Sequence, residues 1–218
     1  MLKRTLVVVS AGIAMSGAAM AADVVPTPAP AAFDWSGFYL GGQAQIDMIN
    51  AHEVTPFNLA SATNFGGGIS AQRLWQRDKL VFGLVGDVNL LIGDHIAGCI
   101  VGGPALQCKF GSSWNASARA KVGFAADKAL FYGTAGWGWA DVHVSTTTGG
   151  VTQHDAITKN GWVAGAGMSY AISPKWSTNL EYLHYDLGSG NISQLISNGT
   201  GRLKPTADTI TIGVNYKF

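Results

Sequence analysis

Alternation of apolar and polar residues runs through most of the chain and restricts the fold to β-structure. The last nine residues show it most clearly, because every second position from Ile210 to Phe218 is apolar and the positions between them are polar or glycine. A period of two indicates a strand with two unlike faces, and no segment carries a sustained helical period. The pattern predicts eight strands, at residues 38–48, 65–72, 80–92, 114–124, 130–142, 162–172, 176–182 and 209–218.

Two of these strands are less regular than the others. Glycines 66–68 interrupt the apolar–polar alternation of the second strand. In the fifth, Phe131 and Trp137 share one parity while Leu130 and Tyr132 share the other. The alternation therefore leaves open which face of the fifth strand is apolar.

The connections between the strands alternate in length. Short turns are predicted at 76–79, 126–128 and 173–174, and longer polar stretches at 50–63, 93–109, 143–156 and 188–204. All four long loops then share one end of the fold, whereas the turns and both termini share the other. This arrangement is typical of an all-β, eight-stranded, antiparallel up-and-down transmembrane β-barrel with short periplasmic turns and four longer outer loops.

The N-terminus has the features of a secretory signal. Lys3 and Arg4 precede an apolar stretch, Leu6–Met20, which ends in the small-x-small sequence of residues 19–21. We therefore predict a signal peptide at residues 1–21. A Pro/Ala-rich periplasmic leader is predicted at 22–32, and the barrel domain at 33–218.

Charge and its placement decide which strand face meets the membrane. Charged residues make up only 12% of the chain and the net charge is +1, which excludes an electrostatic case for nucleic-acid binding. The polar parity carries mid-strand charges, and a lumen tolerates them where opposite signs pair. The apolar parity ends in aromatics, as membrane-interface girdles do. The predicted lumen network is Asp47, Asp87, Arg119, Lys121 and Glu181, and the predicted girdle is Trp75, Trp114, Trp162, Tyr170, Trp176 and Tyr216.

The apolar face is therefore expected to point outward into lipid. The interior of an eight-stranded barrel is narrow enough for side chains to fill it. With three acids and two bases as fillers, we expect no large-pore conductance.

Three motifs extend this interpretation to a family. They are Trp35–Gly42 at the first strand, Gly161–Gly167, and Leu180–Gly188 near the end. Over residues 33–218 the chain resembles the small eight-stranded outer-membrane proteins of alphaproteobacteria, which include surface antigens and hemin-binding proteins. The resemblance implies an outer-membrane location. It also implies a C-terminal signal read by the barrel-assembly machinery, at Ile212, Val214, Tyr216 and Phe218.

Two cysteines lie in the loop between the third and fourth strands. Cys99 and Cys108 are nine positions apart in a chain predicted to enter an oxidising compartment. We expect a disulfide that restrains the loop, worth about 2–3 kcal/mol. The alternatives are two free thiols or a pair of metal ligands, although a zinc site would need further ligands that are not nearby in sequence.

The five histidines all fall in the predicted outer loops or at the adjoining strand ends. They are His52, His95, His143, His154 and His184. Imidazoles gathered at one mouth are able to ligate hemin iron or a divalent metal. The simpler interpretation is that polar residues collect in exposed loops. Neither a cofactor nor a dedicated metal site is predicted beyond this hemin hypothesis.

The function predicted from these features is structural. We recognise no catalytic constellation and expect no enzyme, but a barrel that contributes to envelope integrity and presents its loops at the surface. The expected partners are outer-membrane lipids and lipopolysaccharide, the barrel-assembly machinery, and host or environmental ligands bound by the loops. The alternatives are a hemin, metal or adhesion receptor acting through the loops, and a narrow porin for small solutes.

Overall fold

The structure of the chain is a computed structural model. It describes residues 32–53, 62–93, 95–99, 106–148, 151–188, 190–192 and 201–218. Side chains are described for 32–49, 63–93, 112–141, 158–188 and 206–218. The predicted signal peptide, and the predicted leader apart from Ala32, lie outside the described residues and stay predictions. Within the described part of the chain, no helix is long and apolar enough to cross a membrane.

The described residues form a single antiparallel sheet. Its strands are β1 (Gly37–Glu53), β2 (Ala62–Arg77), β3 (Leu80–Ile92), β4 (His95–Cys99), β5 (Leu106–Gly111), β6 (Trp114–Ala126), β7 (Ala129–Thr148), β8 (Val151–Ala171), β9 (Trp176–Asp186), β10 (Gly190–Ile192) and β11 (Gly201–Lys217).

Eight of these strands close into the predicted barrel. Each barrel strand pairs with the next one along the chain, in the order β1, β2, β3, β6, β7, β8, β9 and β11. The first and last strands then pair with each other, in a register that runs from Tyr39 opposite Lys217 to Glu53 opposite Leu203. The prediction of an eight-stranded antiparallel up-and-down barrel is confirmed. Closure leaves no edge along the barrel wall, as a strand inside hydrocarbon requires.

The turn end agrees closely with the expectation from sequence. Asp78-Lys79 joins β2 to β3 and Asp127-Lys128 joins β6 to β7. Both aspartates have a positive φ, 55° and 51° respectively. Asp is one of the few side chains that adopts this conformation readily, and two-residue hairpin turns demand it.

The loop end is more structured than predicted. The segment 143–156 was expected to be a polar loop, but β7 and β8 continue through it and pair from Ala129–Tyr170 out to Thr148–Val151. This expectation was wrong because Val and Thr flank Gly149-Gly150. β-branched runs on either side of two glycines are a hairpin signal.

Two of the other predicted loops also contain strands. The segment 93–109 holds the hairpin of β4 and β5, and β5 pairs in turn with the outer part of β7. Within 188–204, β10 pairs with the start of β11. The barrel sheet therefore continues beyond the loop end on both of these sides.

The apolar face of the strands points outward, as expected of a membrane barrel. Large apolar side chains cover the outside, with Leu84 60% exposed, Val122 62% and Ile212 59%. The fifth barrel strand, β7, follows the same rule, because Phe131, Trp137 and Trp139 point outward. Leu130 and Tyr132 point inward and belong to an apolar layer at the turn end. Apolar residues of both parities made this strand ambiguous in sequence.

A charge placed on the outer wall tests its direction. We expect Leu84→Arg to lower the free energy of unfolding by about 2–4 kcal/mol if Leu84 lies near the bilayer midplane, because lipid does not solvate a guanidinium. The measurement is denaturant unfolding of the full chain refolded into phospholipid vesicles.

The matched control is Leu84→Ala, which removes the same contacts without adding a charge. Equal free energies of unfolding for the Arg and Ala variants would mean that this face of β3 does not lie in hydrocarbon.

Candidate functional site in the barrel lumen

An ion triad crosses the centre of the lumen. Arg119 on β6 donates from Nη2 to Asp87 Oδ2 of β3 at 2.7 Å and from Nη1 to Glu181 Oε1 of β9 at 2.8 Å. All three side chains are at most 6% exposed. β9 is not a neighbour of β6 in the sheet, so this guanidinium joins opposite parts of the wall through the interior. A planar guanidinium suits this bridging, because its donors are fixed in a fork.

Neutral side chains complete the coordination of the triad. Ser117 accepts a hydrogen bond from Arg119 Nε at 2.8 Å and donates to Asp87 Oδ2 at 2.6 Å. Asn89 donates to Asp87 Oδ1 at 3.1 Å and to Asn115 Oδ1 at 2.9 Å. Buried charges are tolerated when hydrogen bonds satisfy their remaining atoms, and both oxygens of Asp87 are occupied here.

Lys121 follows Arg119 on the inner face of β6, two residues closer to the turn end. Its ammonium donates to Gln72 Oε1 at 2.9 Å. It also sits 3.8 Å from the centre of the Tyr132 ring. The Lys121 side chain is thus held by an amide and an aromatic face, and the residue is 3% exposed. A desolvated cation over an aromatic ring is a stabilising arrangement.

Asp47 is the fifth predicted lumen residue and lies apart from the triad. Its Oδ1 accepts a hydrogen bond from the Thr209 hydroxyl, and its Oδ2 accepts one from Gln45 Nε2 at 2.7 Å. Asp47 is 2% exposed. The structure therefore places all five predicted lumen residues inside, but it joins only Asp87, Arg119 and Glu181 by ion pairs.

An apolar cluster closes the turn end of the lumen. Trp35, Leu130 and Val81 are each at most 1% exposed within it, and Tyr39, Leu74, Ala125, Tyr132 and Ala171 complete it. Trp35 precedes β1, so the chain enters the barrel by folding its first described residues into the opening.

Several hydrogen bonds hold this entering segment. The Trp35 amide donates to Gln76 Oε1 at 2.7 Å, and Tyr39 Oη donates to the Trp35 carbonyl at 2.9 Å. The Lys217 ammonium donates to the Asp34 carbonyl. At the Asp34 carboxyl, burial raises the pKa, but hydrogen bonds from Ser36 and the charge of Lys217 outweigh it, so the pKa lies below its ordinary value.

A second apolar cluster lines the loop half of the lumen. It contains Val163, Leu183, Tyr185, Leu187 and Ala140, with Ala207 packed against it. Glycines make room for the aromatic rings inside. A Cβ on Gly138 would lie 2.8 Å from the Tyr185 ring, and one on Gly167 would lie 2.7 Å from Tyr132 Oη. The inner face around these two rings is thus filled by neighbouring side chains.

Sequence reasoning found the charges in the lumen but missed its apolar ends. Leu74, Val81, Leu130 and Tyr132 occupy the polar parity close to the turns. That clustering of exceptions to the alternation is the signal that would have indicated an apolar closure. The neutral residues that complete the network, such as Ser117 and Asn89, had no distinguishing signal because polar residues are frequent on this face.

His184 is the histidine whose side chain is described. It lies on the outer wall of β9, where its Nδ1 is 2.7 Å from Asp208 Oδ1 of β11, and its ring centre is 5.4 Å from that of Trp162. Tyr182 Oη donates to the same Asp208 oxygen at 2.6 Å. This group forms a polar patch on the outer surface towards the loop end.

The other predicted ligands fall where side chains are not described. The backbone places His52 on β1, His95 on β4, His143 on β7 and His154 on β8. The predicted disulfide also lies outside the described side chains, and the backbone register sets Cys99 opposite Leu106 and Cys108 opposite Ala97. The hemin and disulfide predictions therefore stay predictions.

The predicted assembly residues lie on the closing strand. Ile212 and Val214 face outward, 59% and 46% exposed. Phe218 donates its amide to the Phe38 carbonyl at 3.0 Å, and its ring packs edge-on against Tyr216 at 5.0 Å. The last residue of the chain is thus attached to the first strand.

Comparison with known proteins agrees with this geometry. The sequence profile of the outer membrane protein beta-barrel domain matches residues 14–218. The chain belongs to this family. A 31 kDa outer-membrane immunogenic protein of Brucella melitensis is 30% identical over 99% of this chain and 100% of its own length. A 22 kDa outer membrane protein of Rhizobium leguminosarum bv. viciae is 32% identical, over 88% of this chain and 82% of its own length.

Solved structures show the same fold. Ail, the attachment invasion locus protein of Yersinia pestis, superposes with a TM-score of 0.50 at 15% identity, covering 84% of this chain and 99% of that one. Neisserial surface protein A superposes with a TM-score of 0.51 at 20% identity, covering 84% and 98%. The family resemblance inferred from sequence is confirmed, and with it the bacterial outer membrane as the location of the protein.

The central ion triad is tested by removing its shared cation. We expect Arg119→Met to destabilise the barrel by about 3–5 kcal/mol, because two buried carboxylates lose their partner. The measurement is the free energy of unfolding in phospholipid vesicles.

The control is the triple variant Arg119→Met, Asp87→Asn, Glu181→Gln, which removes all three charges together. We expect it to recover most of the loss. A triple variant as unstable as the single one would show that packing, and not charge pairing, accounts for the effect.

Proposed function

We propose that this outer-membrane barrel is a structural protein of the envelope that presents its outer hairpins at the cell surface, and that it is neither an enzyme nor a diffusion pore. The observation that carries the proposal is the filled lumen. The Asp87–Arg119–Glu181 triad crosses the interior with side chains at most 6% exposed. A solute passing along the axis would have to break buried ion pairs, which is energetically costly.

The two ends of the lumen support the same proposal. Trp35 and its neighbours fill the turn end, and the cluster around Tyr185 lines the loop half. A narrow porin needs a continuous hydrated path, whereas these layers interrupt the polar interior with apolar side chains.

The proposed partners follow from the outer surface. Its apolar wall suits lipid acyl chains, and the partly exposed His184–Asp208–Tyr182 group towards the loop end suits the polar headgroups of lipopolysaccharide. Presentation of the hairpins fits the name of the Brucella relative, an outer-membrane immunogenic protein. Loop-bound ligands of the host or environment, hemin included, belong to the alternative receptor function.

Deletion and loop trimming separate the two functions. We expect a deletion strain to leak periplasmic protein and to admit large hydrophobic antibiotics. A trimmed barrel, in which an Asn-Gly turn replaces residues 144–155, should restore the barrier as well as the full chain does. The design keeps the wall pairing from Val142–Ile157 inward.

The trimmed barrel must first be shown to assemble, by its resistance to unfolding in SDS before heating. A folded trimmed barrel that fails to restore the barrier would contradict the structural function and favour a receptor. A deletion strain with an intact barrier would contradict it as well.

The C-terminal residue provides a test of the proposed contact with the barrel-assembly machinery. We expect Phe218→Ala to reduce the amount of assembled barrel in cells severalfold while changing refolding of the purified chain much less, because the signal acts only where the machinery reads it.

The matched control is Phe124→Ala, which also removes an exposed wall phenylalanine, 48% exposed against 69% for Phe218. Equal losses of assembled barrel for the two variants in cells would show that Phe218 contributes only wall contacts.

A further inference from the structure

The buried charges of the lumen do not balance. Among the described side chains, the buried charged residues are three acids, Asp47, Asp87 and Glu181, and two bases, Arg119 and Lys121. Three negative charges against two positive ones leave one negative charge in excess. An unbalanced buried charge is costly, so the excess calls for a bound proton or for a further positive charge in or near the lumen.

The excess charge is located by the ion pairs. Arg119 pairs with both Asp87 and Glu181, and Lys121 lies on the same strand and donates to Gln72. Asp47 is bound only by the neutral groups of Thr209 and Gln45 among the described side chains. The carboxylate without a cation is therefore Asp47, in the loop half of the lumen.

Both hydrogen bonds at Asp47 come from neutral groups. One oxygen accepts from the Thr209 hydroxyl and the other accepts from the Gln45 amide. The arrangement stabilises a negative charge but does not neutralise it.

A second, independent observation lies directly opposite on the next strand. Asn64 of β2 pairs in register with Asp47 of β1, and both residues face the lumen. Asn64 is 1% exposed, and neither its Oδ1 nor its Nδ2 has a hydrogen-bond partner among the described protein groups. A buried amide with both ends unpaired is rare and requires an explanation.

We propose that Asp47, Asn64 and Thr209 form a binding site for a small monovalent cation of the sodium class. The Asp47 carboxylate supplies the charge, and Asn64 Oδ1 and Thr209 Oγ supply neutral oxygen ligands of the kind that hard cations prefer. The cation balances the lumen charge and gives the buried Asn64 oxygen a partner, so one ion accounts for both anomalies.

The charge count selects the valence. A divalent ion would turn an excess of one negative charge into an excess of one positive charge. Protein sites for calcium also draw on several carboxylates, whereas this one has a single carboxylate. The described residues contain no group of three His, Cys, Asp or Glu side chains that would hold a metal of higher charge.

Thermal unfolding in different salts tests the site. The full chain, refolded in zwitterionic micelles, is unfolded in sodium, potassium or choline chloride at equal ionic strength. We expect the unfolding midpoint of the wild-type chain to be roughly 2–4 °C higher in sodium than in choline, because choline is too large for a buried oxygen site. Sodium-23 relaxation should show bound ion in the same sample.

Asp47→Asn should abolish both the sodium-dependent midpoint shift and the sodium-23 effect. The matched control is Asp78→Asn, which removes an exposed carboxylate at a turn and should leave both unchanged. If Asp47→Asn does not fold, Asn64→Ala replaces it, and it should reduce the difference between sodium and choline.

Several outcomes would overturn the proposal. One is a wild-type midpoint that is the same in all three salts. Another is a sodium effect that persists in Asp47→Asn. A third is an infrared carboxyl band that disappears in Asp47→Asn while the cation has no effect on the wild-type chain, since the balancing charge would then be a proton on Asp47. Each outcome concerns the ion alone, so the structural role in the envelope is judged separately.

Discussion

Hydrocarbon offers no hydrogen-bond partner to a peptide group, and the architecture of this barrel follows from that constraint. The pairing of β1 with β11 leaves no open edge in the wall, and it is continuous from Tyr39–Lys217 to Glu53–Leu203. Once the wall is closed, the period of two leaves one face for lipid and one for the interior. The interior face therefore receives the polar side chains, including five buried charges that a soluble barrel would place outside.

The narrow lumen then has to satisfy these polar groups without bulk water. Arg119 does so for two carboxylates at once, and Ser117 and Asn89 complete the hydrogen bonds of Asp87. Apolar layers enclose this polar centre. Trp35 comes from outside the strands to fill the turn end, so the segment before β1 is part of the packed structure. Of the three buried lumen carboxylates, Asp47 is the one that neutral donors alone coordinate among the described side chains.

Much of the fold was predictable because period-two alternation is a local property of the sequence, which is read from neighbouring residues without knowing their partners in the sheet. The parity of Ile210–Phe218 and the positions of the turns were sufficient to predict the closed barrel and the inward charges. The pairing of those charges was not predictable, because Arg119 reaches Glu181 across the lumen and no sequence spacing encodes that contact. The sequence did not show which face of β7 points outward, because Leu130 and Tyr132 are apolar residues that pack inside the lumen at the turn end. The outer strands were missed because the Thr-rich segment after Val142 has polar composition, although its β-branched residues favour extended backbone.

The length of the β7–β8 hairpin determines how far the protein reaches from the membrane surface. β7 spans 20 residues, about 66 Å of extended chain at roughly 3.3 Å per residue, whereas a strand crosses the bilayer in about 9–11 residues. About half of the hairpin is therefore a stalk that extends beyond the hydrocarbon core, and β5 pairs with its outer part, at His143–Thr147. Its reach would carry the most distal residues through the sugar layer next to the membrane, where large soluble molecules first meet the bacterium.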